Sequence, residues 1–262
     1  MTILELERLS IAFGGVRAVD EVSLAVAAGT VFSIIGPNGA GKTSLFNLIS
    51  GIYPPLDGRV CLAGEDVTGL PPDHFARRGL SRTFQNLQIF FRMSVLENVM
   101  VGCHRHECTG ILADLLHLPQ VARQNRASRE RALAALARVG LAGEAERSAA
   151  ALPYGALKRL EIARALTTEP RVLLLDEPAA GCNPVETAEV ASVIRGIAAE
   201  GVTVVLVEHD MRLVMNISDR IHVLASGRTL AEGTAAEVRA NPAVIEAYLG
   251  VETPREAVRA RA

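Results

Sequence analysis

The run Gly36-Pro37-Asn38-Gly39-Ala40-Gly41-Lys42-Thr43-Ser44 sets three glycines, a lysine and two hydroxyls side by side, a combination suited to holding phosphate. Its spacing is G-x-x-x-x-G-K-[ST]. The apolar stretch Val31 to Ile35 precedes it, and Leu45, Phe46, Leu48 and Ile49 follow at helical intervals, the strand–loop–helix setting the pattern requires. Glycines let the backbone turn tightly enough for successive N–H groups to point at phosphate oxygens, and the start of a helix adds partial positive charge. Lys42 would then reach the β- and γ-phosphates. Thr43 would place its hydroxyl on Mg²⁺, a hard cation that takes oxygen ligands. A glycine-rich turn matches this spacing by chance in roughly one chain in a hundred, and the correct flanking elements lower that further, so a nucleoside triphosphate such as ATP is the expected ligand.

Two further groups stand where such a site needs them. Val172-Leu173-Leu174-Leu175-Asp176-Glu177-Pro178 reads as a buried strand ending in two acids, at the sheet edge where α/β proteins bind ligands. Adjacent side chains diverge there, so Asp176 is expected to hold Mg²⁺ through its water shell and Glu177 to polarise the attacking water as general base. A third apolar run, Val202 to Val207, ends in Glu208-His209-Asp210. His209 beside a γ-phosphate could donate a hydrogen bond to phosphoryl oxygens and keep the water and Glu177 in line. An isolated Asp-Glu pair or histidine in a turn is ordinarily just solvated; the phosphate loop and the apolar strands argue against that here.

The elements that position these residues are legible in outline. From Ile3 to Val26 apolar and polar residues alternate, as in half-buried antiparallel strands, and Gly58 to Leu62 adds another strand after a Pro-Pro-Leu-Asp-Gly turn. Val31–Ile35, Val172–Leu175 and Val202–Val207 are short and nearly all apolar, as parallel strands covered on both faces should be. Helix formers dominate between Ser94 and Ala149, predicting an inserted helical subdomain over about 94–150. The stretch Ile221 to Leu230 reads as a hairpin around Ser226-Gly227, followed by one helix over Ala235–Leu249 and fraying beyond Thr253. The predicted fold class is α/β: a P-loop core with a mostly parallel sheet, an antiparallel β-subdomain and an inserted α-helical subdomain, in a single domain over 1–252.

Composition narrows the function. A net charge of -2 argues against a strongly basic nucleic-acid face, so no nucleic-acid partner is expected. Cys61, Cys103, Cys108 and Cys182 form no C-x-x-C pair; Cys103 and Cys108 flank His104 and His106, but that segment reads as solvated and no structural metal is expected. Met1 to Ser10 alternates apolar and charged residues, and no run approaches the roughly 20 apolar residues of a membrane span. A soluble chain that meets a membrane only through partners is expected. No N-K-x-D guanine motif, long coiled-coil insertion or second phosphate loop is present.

Leu152-Pro153-Tyr154-Gly155-Ala156-Leu157-Lys158-Arg159-Leu160-Glu161-Ile162-Ala163-Arg164-Ala165-Leu166 resembles the signature segment of ATP-binding cassette (ABC) ATPases, whose common form is L-S-G-G-Q. The resemblance extends over nearly the whole chain. It implies that Leu152, Pro153, Tyr154, Gly155 and Ala156 act on ATP held by a partner. Gln85, in Thr83-Phe84-Gln85-Asn86, would be the Q-loop glutamine, joining Thr43 and Asp176 around Mg²⁺. Ala180, Gly181, Cys182 and Asn183 would form the D-loop, His209 the switch histidine, and Phe13 the aromatic stacked on adenine.

Arg159-Leu160-Glu161-Ile162-Ala163-Arg164, Asp176-Glu177-Pro178-Ala179-Ala180-Gly181, Val207-Glu208-His209-Asp210-Met211 and Ala247-Tyr248-Leu249-Gly250 are similar to the ATPases of branched-chain amino acid importers. This implies an ATPase powering uptake of branched-chain or other hydrophobic amino acids, although importers of urea, amides and other small solutes share much of the pattern. It also implies a place on the cytoplasmic face of the inner membrane, on two permease subunits, beside a second ABC ATPase in a heterodimer or a homodimer. A periplasmic or extracellular solute-binding protein would act indirectly. Two positions depart from the pattern: Pro153 stands where serine is usual, with neither hydroxyl nor N–H, and Ala156 where glutamine is usual. Gly155 and the following helix remain, so the composite site using this segment is expected to be the weaker of two. Leu87, Ile89, Phe90, Phe91 and Met93 would either form a groove for a coupling helix of the permease or pack in the core.

Overall fold

The structure, a computed structural model, describes residues 1–106 and 119–249. Strands β1 (Thr2–Phe13) and β2 (Val16–Ala27) pair antiparallel across a two-residue turn. Their alternation follows the expected pattern, with Val22, Leu24 and Val26 buried and Glu21, Ser23 and Ala25 exposed. After β3 (Val31–Ile35) and helix α1 (Lys42–Ile49), the chain returns to this sheet with β4 (Asp57–Leu62) and β5 (Glu65–Asp66). The strand order is β2-β1-β4-β5.

The second sheet carries the chemistry. Helix α2 (Pro72–Arg77) leads into β6 (Leu80–Arg82), a strand of three residues too short to leave a sequence pattern. Helix α3 (Val95–Met100), a 3₁₀ turn over Val101–His106, α4 (Pro119–Arg138) and α5 (Tyr154–Leu166) come next. Then follow β7 (Val172–Asp176), α6 (Pro184–Ala199), β8 (Thr203–Val207), α7 (Met211–Ile217), β9 (Arg220–Ala225) and β10 (Arg228–Gly233). The sheet order is β10-β9-β3-β8-β7-β6; all neighbours are parallel except the β9–β10 hairpin.

Both faces of this sheet are covered, which is why its central strands are nearly all apolar. Leu173, Leu175, Val204 and Leu206 point into a cluster with residues of α3, α4, α5 and α6. Val172, Leu174, Val205 and Val207 point the other way, onto α1 and the antiparallel sheet. Ile35, Val214, Ile221 and Val223 form a third cluster beneath Val238 and Val244.

The single C-terminal helix expected over Ala235–Leu249 is two helices, α8 (Ala235–Ala240) and α9 (Pro242–Leu249). Pro242 has no N–H to continue the first helix, and its ring drives Asn241 out of the helical region, to φ -76°, ψ 116°. Cys108 and the stretch 253–262 lie outside the described residues. No described helix is long and apolar enough to cross a membrane.

Candidate active site

Gly41 precedes α1 at φ +101° and offers no side chain to cap the helix, so the first N–H groups of α1 face a cleft of about 390 Å³. Residues Asn38 to Ser44 line this cleft together with Ala18, Gln85, Glu177, Val207 and His209. Lys42 is 7% exposed, and its ammonium donates to the carbonyls of Gly36 (2.7 Å) and Pro37 (3.0 Å). Burial pushes its pKa down, with the Glu177 carboxylate opposing.

Glu177, Gln85 and His209 come from three separate segments and converge. His209 Nε2 lies 2.7 Å from Glu177 Oε1, and Gln85 Nε2 donates to Glu177 Oε2 at 3.2 Å. Glu177 sits at φ +51°, a left-handed conformation that costs a non-glycine residue about 1–2 kcal/mol. Its N–H, bonded to Val207 O at 2.9 Å, holds it there. Asp176 is placed differently: it is 5% exposed and does not line the cleft, and its Oδ2 pairs with Arg82 at 3.0 Å.

Three supports carry no sign in the local sequence. Lys158 on α5, 3% exposed, brings Nζ to 3.4 Å from Glu177 O and 3.5 Å from Gln85 O, bracing both loops from behind. Glu208, also 3% exposed, accepts the N–H of Ala179 (2.8 Å) and of His209 (2.9 Å), fastening the end of β8 to the loop after β7. Arg82 is the third. Charged residues at strand ends and on a helix read as solvated in sequence, and only tertiary pairing buries them.

Phe13, at the end of β1, is exposed and meets Tyr53 edge-on, with ring centroids 5.4 Å apart; it does not line the cleft. The segment Leu152–Ala156 and residues Ala180–Asn183 lie outside the cleft as well, and they pack together. A Cβ on Gly181 would stand 3.0 Å from the Tyr154 ring. Pro153 caps α5 without a side-chain acceptor, and Glu186 of α6 takes over that task. Its Oε1 accepts the Gly155 N–H at 2.9 Å and its Oε2 the Asn183 N–H at 3.0 Å. Gly155 must be glycine here, since a Cβ would stand 2.6 Å from Glu186 Cβ.

These N–H bonds, from Asn183 first and Gly155 second, hold the Glu186 carboxyl below the ordinary carboxylate range. A depressed folded pKa gives stability that is present above the unfolded value and lost as pH falls through the folded one. Glu186→Ala should therefore lower the melting temperature by a few degrees at neutral pH, with the gap closing in acid. Melting curves at several pH values read this directly; a gap that does not change with pH would contradict it.

A second concavity, of about 570 Å³, opens beside β6, with Arg82, Phe84, Gln88, Phe90, Glu161 and Arg164 in its wall. Arg164 stacks over Phe90, 5.8 Å from the ring centroid, and donates to Gln88 O. Burial pushes the Glu161 carboxyl up while the Gln88 N–H holds it at 2.8 Å. Leu87 and Ile89 pack on the core, whereas Phe90, Phe91 and Met93 are exposed; of these five, Phe90 alone lines the concavity.

A phosphate loop after β3, an acidic end on β7 and a histidine after β8 define a P-loop nucleotide-hydrolysing protein with an antiparallel sheet on one flank and helices on the other. The family model described as ABC transporter matches residues 19–180, and one described as Branched-chain amino acid ATP-binding cassette transporter matches 228–253. The chain belongs to the ABC transporter family, as an ATP-binding ATPase. It is 49% identical to the high-affinity branched-chain amino acid transport ATP-binding protein BraF of Pseudomonas aeruginosa, over 95% of this chain and 98% of that one. Identity to LivG of Escherichia coli K12, whose name is otherwise the same, is 45% over the same shares. A solved nucleotide-free ATP-binding cassette from an ABC transporter superposes with a TM-score of 0.83, at 33% identity, over 95% of this chain and 100% of that one.

Proposed function

We propose that this chain hydrolyses ATP to power uptake of branched-chain or other hydrophobic amino acids through a membrane importer. The convergence of Glu177, His209 and Gln85 on the phosphate cleft carries the hydrolytic part. Phosphates lie on the N–H groups of Gly39 to Ser44, and Lys42 turns from the carbonyls of Gly36 and Pro37 to the β- and γ-phosphates. Glu177 Oε1 takes the proton of the attacking water, and His209 steadies the carboxylate and the departing phosphoryl oxygens. The Thr43 hydroxyl and the Gln85 amide oxygen, which line the cleft, and the buried Asp176 carboxylate acting through the metal's water shell would hold Mg²⁺, which would neutralise charge on the phosphates. Phe13 stacks on the base.

The partners follow from surfaces outside the cleft. Leu152–Ala156 and the D-loop residues Ala180–Asn183 meet the ATP of a second cassette, in a heterodimer or homodimer, and Pro153 and Ala156 make that composite site the weaker one. The concavity at Phe90 receives a helix of one of two permease subunits, which seats the chain on the cytoplasmic face of the membrane and links it indirectly to a solute-binding protein. The amino-acid cargo rests on the names of the relatives and on the match over residues 228–253.

Phe90→Glu is expected to leave basal ATP hydrolysis intact and to weaken seating on the permease by about 2 kcal/mol, roughly thirtyfold in affinity. Co-purification with the permease and transport assays measure it; undiminished coupling would remove Phe90 from that surface. Reconstitution with candidate permeases and a panel of receptors tests the cargo. ATPase stimulation by a sugar-loaded receptor alone would sink the amino-acid reading.

A further inference from the structure

Arg82 ends β6 among the residues lining the second concavity, and its guanidinium joins the end of β7 to α1. One terminal nitrogen donates to Asp176 Oδ2 at 3.0 Å; the other donates to Asn47 Oδ1 on α1 at 2.7 Å and to Oγ of Ser50, which caps the C-terminal end of α1, at 2.8 Å. Phe46 and Phe84 close over the guanidinium, with centroids at 5.5 and 5.7 Å. Both side chains of the pair are less than a tenth exposed, and Arg82 Nε has no hydrogen-bond partner among the described residues.

A buried ion pair is poor value for stability, since apolar residues of similar volume hold a core as well or better. This one also leaves an N–H unmatched. Its geometry points elsewhere: one planar fork locks the carboxylate at the end of β7 to the helix that follows the phosphate loop. Lysine could not make all three contacts from fixed directions.

We propose that Arg82 is a positioning residue for the Mg²⁺–nucleotide site, fixing the Asp176 carboxylate to the C-terminal end of α1, the helix whose other end carries Lys42 and Thr43. The inference rests on the reading of Asp176 as the Mg²⁺ carboxylate.

The test is binding of a fluorescent ATP analogue titrated with Mg²⁺, without turnover, in the full-length protein. Arg82→Gln should bind the Mg²⁺-free analogue as the parent does and need roughly 10- to 100-fold more Mg²⁺ for half-maximal tightening, the range expected when a residue supporting a metal ligand is lost. Arg82→Lys should recover part of the shift. Asn47→Ala removes one of the two bonds that tie the guanidinium to the end of α1, leaves the one to Ser50 Oγ and strands no buried charge, and should shift the Mg²⁺ requirement the same way by less; it serves with Arg82→Lys if Arg82→Gln does not fold. Asp176→Asn separates the two readings. If Asp176→Asn raises the Mg²⁺ requirement and the Arg82 and Asn47 variants keep the parent value, Arg82 is not a positioning residue. If Asp176→Asn itself keeps the parent value, the assignment of Asp176 fails and the inference falls with it.

Discussion

Glu177→Gln is expected to bind ATP as the parent protein does and to hydrolyse it roughly a hundred- to ten-thousand-fold more slowly, the usual contribution of a positioned general base. Glutamine has the shape of glutamate, and its carbonyl oxygen can still accept a hydrogen bond from His209 or Gln85. The left-handed backbone at this position is held by the bond to Val207 O, which the substitution leaves untouched. What it removes is the ability to take a proton. The Lys42 ammonium loses a distant stabilising charge but keeps its carbonyl partners, so the phosphate loop should stay in place. Equilibrium binding and single-turnover hydrolysis, measured on the same preparation, separate the two properties. Parent-like hydrolysis would take Glu177 out of the role and leave its 2.7 Å contact with His209 without a catalytic purpose.

The parts of this site legible in sequence are those whose chemistry and context lie within one short segment. The loop from Gly36 to Ser44 announces itself because strand, glycines, lysine and hydroxyl are contiguous. The same holds for Glu177 at the end of an apolar strand and for His209 after Val202–Val207, whereas Asp176 beside Glu177 is buried on Arg82 and does not line the cleft. Illegible parts are the long-range polar contacts. Arg82 and Asp176 are 94 positions apart, and Lys158 is 73 from Gln85 and 19 from Glu177. Nothing in local spacing says that these charges are buried rather than solvated. Glu186 is a middle case: its spacing from Asn183 marks a capping box, but its bond to Gly155 arises only because α5 and α6 start side by side. The stretch from Leu87 to Met93 mixes both outcomes, since an apolar run carries no sign of which side chains turn inward. At the C-terminal end the apolar pattern runs on through Asn241-Pro242, and backbone geometry at the proline overrides it.

Gly41→Ala should abolish measurable ATP binding, and the reason is separable from simple backbone strain. A Cβ at Gly41 would stand 2.2 Å from the carbonyl oxygen of Ala18 on β2, and neither atom belongs to a flexible side chain. Either β2 or the start of α1 must move. The N–H groups of Lys42 and Thr43, which the cleft needs for phosphate, move with α1. Gly64, in the turn between β4 and β5, supplies the control: its φ is +84°, close to the +101° of Gly41, but no atom lies near its missing Cβ. Gly64→Ala should therefore show strain alone, about 1–2 kcal/mol of stability, with nucleotide affinity unchanged. Gly41→Ala should show that loss and the loss of binding together. Chemical denaturation and ATP titration of both variants make the comparison. Retained affinity in Gly41→Ala would mean that the contact between the phosphate loop and Ala18 yields easily, and that the loop's shape is held by Lys42 and its two carbonyl partners rather than by β2.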